Sequence, residues 1–299
     1  MSIRRKWFRL INIGGIRWSL HPLLAVLMLL SIMTGYIGEL LTLFVLVFVH
    51  ELGHAAAANG FGWKVLEIKL LPFGGVAELE EKPGAPSYEE AVIALAGPLQ
   101  NLWMAGAAWA LGAAGLMNPQ WSDYLIHANL LLLAFNMLPI YPLDGGRLLR
   151  YICGMQLNYY ATLRFSAWTG MIFSVLMIVF ALLPQLEHSG GIQANLLAVG
   201  LFLFAANFTY RKQIPFLFMR FLMTRERGSR SKIRAGSRAR PIVVTGLHPV
   251  WTTARLFLRD HYHLVYVMED RGRIVGVLPE QRVVEGYLSG DRAVSDLLR

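Results

Sequence analysis

The sequence is short of cysteine and of charge. Cys153 is the only cysteine among 299 residues, so no intramolecular disulfide can form and nothing points to a thiolate metal site; the residue reads as a small apolar packing group. Only 16% of the residues are charged against 55% hydrophobic, which excludes an ordinary soluble domain and points to several membrane spans. Runs long enough to cross about 30 Å of hydrocarbon occur at 20–38, 40–59, 89–117, 124–140, 161–184 and 191–208. The fourth is short and ends in prolines, which break a helix rather than extend it. Basic charge is also missing locally: segments 37–39, 118–123 and 185–191 hold no Lys or Arg. Arg4, Arg5, Lys6, Arg9, Arg17, Lys64, Lys69, Lys82, Arg147, Arg150 and Arg164 all fall on the other side, and the remaining basic residues follow the sixth run. Because cytoplasmic loops carry the excess of Lys and Arg, both termini are expected in the cytoplasm. The first run lacks a small-residue cleavage site and reads as an anchor rather than a signal peptide. This flanking charge accounts for much of the net +9, so nucleic acid is not an expected partner.

What is present is a cluster of ionisable groups where lipid is expected. His50-Glu51-Leu52-Gly53-His54 interrupts an apolar stretch running from Leu40 to Ala58. Each such side chain costs about 2.5–3.5 kcal/mol at the centre of a spanning helix, so the cluster calls for a functional reason. Histidines four residues apart share one helix face and can hold one zinc ion. Glu51, about 100° round the helix from His50, can reach a water on that ion. A catalytic zinc takes three protein ligands, and the strongest third candidate is Asp144, in Asn136-Met137-Leu138-Pro139-Ile140-Tyr141-Pro142-Leu143-Asp144-Gly145-Gly146. Prolines and glycines there unwind the helix and let the carboxylate turn inward, which membrane depth tolerates only where the backbone lines a protein cavity. His21 and His127 read as hydrogen-bonded packing residues, and His248, His261 and His263 as surface groups of a soluble part.

Between the second and third runs, residues 63–80 read as two alternating strands about Leu70-Leu71-Pro72-Phe73-Gly74-Gly75. Such a hairpin near the membrane surface is either a connector stabilised by its own pairing or an edge to which an extended peptide adds as a strand. Residues 210–240 carry ten Lys or Arg against one acid, Glu226, and read as a basic linker at 209–240 lying on anionic headgroups. The last sixty residues change character: strand at 241–245, helix at 252–259, strand at 264–269, turn at 270–272, strand at 274–278 and helix at 280–288, a small α/β domain over 241–299.

Taken together, the histidine pair and the Asp144 segment resemble the site-2 protease family of intramembrane zinc metalloproteases. The resemblance implies His50, His54 and Asp144 as ligands of one zinc ion per subunit, Glu51 as general base and Asn136 as a polar group near the bound substrate. It also brings in Gly97-Pro98-Leu99-Gln100-Asn101, similar to a further family motif, where Asn101 is either functional or an interhelical hydrogen-bonding residue. A helical substrate would have to unwind before cleavage, and Phe73, Gly74 and Gly75 of the hairpin are candidates to hold it extended.

The likeness extends to the stage IV sporulation branch that processes pro-sigma-K. It implies a polytopic α-helical membrane protein: a six-helix metalloprotease domain over 1–208, a membrane-associated β-hairpin and a C-terminal domain similar to one cystathionine-beta-synthase-type (CBS) repeat. Such repeats pair, which implies a homo-oligomer through this domain, and some sense adenine nucleotides such as ATP. The usual Thr-x-x-Asp ribose contact is Pro279-Glu280-Gln281-Arg282 here, lacking the Asp, which weighs against ATP and leaves dimerisation. The branch further implies inhibitory or tethering membrane proteins and a place in the bacterial mother-cell membrane around the forespore. Two other readings stay open. One keeps the chemistry with another membrane substrate, an anti-sigma factor or a signal-peptide remnant. The other is a metal-binding transporter, which would spread ionisable residues along a path rather than gather them at one site.

Overall fold

Apolar runs and the residues that end them set the element order. A computed structural model describes residues 8–13, 16–20, 29, 31–71, 74–80, 85–186, 191–236, 238–269 and 272–298, and divides into two compact units. The first comprises 1–138 with 143–145, and the second 139–142 with 146–299.

The first unit carries strands β1 (Phe8–Ile13), β2 (Ile16–Leu20), β3 (Lys64–Leu71) and β4 (Gly74–Glu80) and helices α1 (Ile37–Gly60), α2 (Ser87–Ala113) and α3 (Pro119–Asn136). Polar residues mark the helix starts. Glu89 and Glu90 sit in the first turn of α2, where its backbone N–H groups favour negative charge. Asn118 caps α3 by accepting from the Gln120 N–H at 2.9 Å, with Pro119 at the first helical position. Gly115, at φ +71°, closes α2, and the Leu116 N–H returns to the Leu111 carbonyl. The helices are inverted relative to a soluble bundle: Leu41, Val45, Leu99, Trp103 and Trp109 face outward, whereas His50, Asn101, Ser122 and Asn129 are buried. Helices α1 and α2 cross closely through small residues, with Ala58 and Ala94 fully buried; a Cβ on Gly53 would lie 2.5 Å from Gln100 Cγ and 2.7 Å from the Ala96 carbonyl.

The expected hairpin is one half of a four-stranded sheet ordered β1-β2-β3-β4. β3 and β4 pair antiparallel from Lys64↔Glu80 to Leu71↔Gly74; β1 and β2 form a second antiparallel pair, and β2 joins β3 in parallel, Arg17↔Glu67 through Leu20↔Leu70. A Ser19 Oγ to Glu67 Oε1 bond of 2.6 Å ties that junction. Among the described residues β3 is therefore an inner strand and β4 a sheet edge, and both pack against α1.

The second unit holds α4 beyond its first two residues (the helix is Asp144–Gly154), α5 (Tyr159–Leu186), α6 (Ala194–Ala235), β5 (Ala239–Val244), α7 (Val250–Arg255), β6 (Tyr262–Met268), β7 (Ile274–Pro279) and α8 (Glu280–Ser289), then a 3-10 turn at Val294–Leu298. In its small sheet β5 runs parallel and β7 antiparallel to the central β6. Where the sequence reads as a basic linker at 209–240, the chain is helical to Ala235. The reason is an apolar stripe at helical spacing: Tyr210, Ile214, Phe218 and Leu222 are all buried. Phe218 and Leu222 pack into the core of the C-terminal domain with Ile242, Val265, Val283 and Leu297. His263 is a second correction. Read as a surface group, it is 1% exposed and lies stacked on Phe257.

Helices Ile37–Gly60, Ser87–Ala113 and Tyr159–Pro184 are long and apolar enough to cross a membrane. Of the other expected runs, 20–38 is described only at 20, 29 and 31–38, 124–140 stops helically at Asn136, and 191–208 forms the first part of α6.

Candidate metal centre

The ligand atoms come from two helices. His50 and His54 lie one turn apart on α1 and are almost fully buried, as is Asp144, the first residue of α4. His50 Nε2 and His54 Nε2 are 3.1 Å apart, and Asp144 Oδ2 lies 3.2 Å from the first and 3.1 Å from the second. These three residues form a group able to hold a metal ion. Asp144 reaches them because the chain turns sharply after α3: a Cβ on Gly145 would overlap the Met137 and Leu138 carbonyls, so only glycine permits the reversal. Its carboxylate also sits at a helix N-terminus, where negative charge is favoured.

The protons decide whether this triangle suits a cation. His54 Nδ1 lies 2.7 Å from the Ile93 carbonyl of α2. A carbonyl only accepts, so Nδ1 carries the hydrogen and, in the neutral ring, Nε2 is a bare lone pair. A bare nitrogen and a carboxylate oxygen 3.1 Å apart repel unless a cation lies between them. Tetrahedral zinc with ligands at about 2.0–2.1 Å holds neighbouring ligand atoms about 3.3 Å apart, close to the observed edges. The residues therefore fit zinc.

His50 is oriented from the same helix. Its Nδ1 lies 3.1 Å from the Asn101 amide, which is fully buried. With Nδ2 toward the ring, Oδ1 has no partner. Turning the amide over lets Oδ1 accept from Nδ1–H and leaves His50 Nε2 free to coordinate, matching His54. Gly97, between Ile93 and Asn101, completes the fit: a Cβ there would overlap His54 Nε2 and lie 2.5 Å from His54 Cε1 and 2.6 Å from His50 Nε2. Any side chain at 97 would occupy the ligand positions.

Glu51 is buried on α1 beside His50. Asn136 is the last residue of α3 and is half-buried. Gly74 and Gly75 open β4, opposite Leu71 and Leu70; Phe73 lies outside the described residues. The sequence offered Asn101 as one option of two, and the structure puts it on His50. The roles of Gly97 and the Ile93 carbonyl were not read from the sequence. The spacing of Gly97 and Asn101, four apart like His50 and His54, was the available signal.

A family model described as Peptidase family M50 matches residues 38–122 and 113–180. The chain is 33% identical over 293 residues to Stage IV sporulation protein FB of Bacillus subtilis (strain 168), covering 98% of this chain and 97% of that one. It is 34% identical over 194 residues to a zinc metalloprotease of Methanocaldococcus jannaschii, covering 59% of this chain and 54% of the relative. Among solved structures, the site-2 protease from Methanocaldococcus jannaschii matches with a TM-score of 0.54 at 31% identity, over 69% of this chain and 95% of that chain.

Proposed function

The chain belongs to peptidase family M50, the site-2 proteases, and is a membrane-bound zinc metalloprotease; from that premise we propose that it cuts a membrane-associated protein precursor of the pro-sigma-K kind. The convergence of His50 Nε2, His54 Nε2 and Asp144 Oδ2 carries the catalytic part of the reading. Zinc held by these three supplies Lewis acidity, acidifying water and polarising the scissile carbonyl. The protein's own groups do the rest. Glu51 takes the proton of the attacking water and delivers it to the leaving amine. The Ile93 carbonyl and Asn101 keep both imidazole protons on Nδ1. Burial of the histidines and Asp144 strengthens every charge interaction during the step.

A helical substrate must expose its carbonyl before it is cut. The edge that β4 presents among the described strands, opening at Gly74 and Gly75, is suited to hold it extended by strand addition, with Phe73, the preceding residue in sequence, as a further substrate contact and Asn136 bonding its backbone. Six spans with both termini cytoplasmic would put the site toward the cytoplasmic face. The C-terminal strand-helix-strand-strand-helix unit would serve as a CBS-like regulatory module that pairs with a second copy; ATP is disfavoured there by the missing ribose-contact Asp. Likeness across 98% of the chain to a sporulation protein supports a mother-cell membrane enzyme under the control of inhibitory or tethering membrane proteins.

The test is co-expression of the protein, or its Glu51→Gln variant, with tagged pro-sigma-K, read by immunoblot. A shortened product from the native enzyme alone is expected. Product from both would remove Glu51 from the mechanism. Product from neither, with cleavage of an anti-sigma factor or signal-peptide remnant, would move the substrate assignment and leave the enzyme class.

A further inference from the structure

Segment 137–143, between α3 and α4, is not helical, so its backbone carbonyls lack the partners a helix supplies. At membrane depth such groups must find donors within the protein. Tyr141 finds one on α6. Asn207, fully buried, donates from Nδ2 to the Tyr141 carbonyl at 2.6 Å and to the Leu203 carbonyl of its own helix at 2.8 Å. Both partners accept only, so the orientation of this amide is forced. Gly170 on α5 makes the room: a Cβ there would overlap Asn207 Oδ1 and lie 2.5 Å from its Cγ. One turn along the same face of α6, Tyr210 stacks on the Tyr141 ring with centroids 4.3 Å apart and planes at 20°. Arg150 in turn donates to the Tyr210 hydroxyl at 3.4 Å. Both backbone and ring of Tyr141 are thus held from α6, and Pro142, with its fixed φ, follows directly.

We propose that Asn207 is a positioning residue for the metal centre: by holding the Tyr141 carbonyl it fixes the path of the segment that delivers Asp144 three residues later. This rests on the assignment of Asp144 as a metal ligand. A buried asparagine between helices otherwise serves as adhesive, which would affect stability alone. The two roles separate by measurement. Ser174 supplies the control, being fully buried on α5 and donating to the Gly170 carbonyl of its own helix at 2.6 Å.

The experiment titrates zinc into the metal-free full-length protein in detergent against a chromogenic chelator, and records thermal melting of the metal-free form. Asn207→Leu and Gly170→Ala are each expected to weaken zinc binding by about 10–100-fold, the range seen when groups orienting metal ligands are removed. Ser174→Ala is expected to bind zinc as the native protein does. Gly170→Ala keeps the amide but displaces it, and carries the test if Asn207→Leu does not fold. Native zinc affinity in a folded Asn207→Leu or Gly170→Ala variant, whether or not its melting temperature falls, would overturn the proposal and leave Asn207 with an adhesive role alone. Absence of zinc binding by the native chain would overturn the metal assignment itself.

Discussion

Gly97→Ala is a severe test of the centre because general helix physics and local geometry predict opposite signs. Gly97 is interior to α2, and replacing a helical glycine with alanine ordinarily stabilises by about 0.5–1 kcal/mol. Here the new Cβ would lie 2.6 Å from His50 Nε2, where ordinary contact begins near 3.4 Å. His50 Nε2 must therefore retreat by about 0.8 Å, and His54 by at least as much. Metal ligands tolerate errors of only about 0.2 Å. Neither ring can swing away cheaply, because the Ile93 carbonyl and Asn101 hold them from the helix that carries the new methyl. The strain is that of an overpacked core, about 1–3 kcal/mol. The expected outcome is a folded protein whose zinc affinity falls at least 100-fold, with precursor cleavage lost alongside. Zinc content after dialysis against graded chelator, with melting of the metal-free form, reads both. Native zinc affinity and cleavage in Gly97→Ala would refute the packing argument.

Asn101→Leu should weaken zinc binding about 10–100-fold by leaving His50 Nδ1–H without an acceptor, whereas Asn101→Asp, which still accepts, should hold zinc near native strength; chelator competition distinguishes them, and equal losses would refute the assigned tautomer. Arg225 binds Glu280 Oε2 at 2.8 Å and the Leu258 carbonyl at 2.7 Å, all buried. Arg225→Ala removes the cationic partner of a buried carboxylate, leaving it the His263 N–H at 2.9 Å, and should cost about 3–5 kcal/mol of C-terminal domain stability, read by denaturant melting of the full chain. Burial, aided by the Arg225 charge and opposed by Glu280, holds the His263 pKa below the usual 6.5. The unfolded chain therefore binds the extra proton first, so domain stability is constant above about pH 6.5 and falls as pH drops below it. A melting temperature flat from pH 7 to 5, or equally steep in His263→Gln, would contradict this.

Much of the centre was legible because charge in an apolar run is conspicuous. His50, Glu51 and His54 fall at helical spacing where lipid is expected, and the prolines and glycines around Asp144 announce a broken helix. Other parts were hidden by stronger local signals. In 210–240 the ten basic residues outweighed the stripe at Tyr210, Ile214, Phe218 and Leu222, which carries α6 into the C-terminal core. β1 and β2 are short, six and five residues, and only Gly14-Gly15 between them hinted at a hairpin. Asn207 gave no sequence signal, since its partner is a backbone carbonyl 66 positions earlier. His263 was misread for a related reason: its burial depends on Arg225 and Glu280, which reach it from α6 and α8.

The division of labour between α1 and α2 explains why the ligand-bearing motif is insufficient by itself. Histidines at i and i+4 put two rings on one face, but each ring can present either nitrogen and rotate about its χ angles. What selects one arrangement is the facing row on α2, also spaced by four: Ile93, whose carbonyl accepts from His54 Nδ1; Gly97, whose missing side chain leaves the ligand atoms their place; and Asn101, whose amide meets His50 Nδ1. Pro98, next in sequence to Gly97, lacks the N–H an interior helix residue would donate within α2. Grafting His-Glu-x-x-His onto another spanning helix should therefore give weak zinc binding unless the Ile93, Gly97 and Asn101 positions come with it. The row makes Nε2 of both histidines available before any ion arrives, so binding need not reorganise the rings.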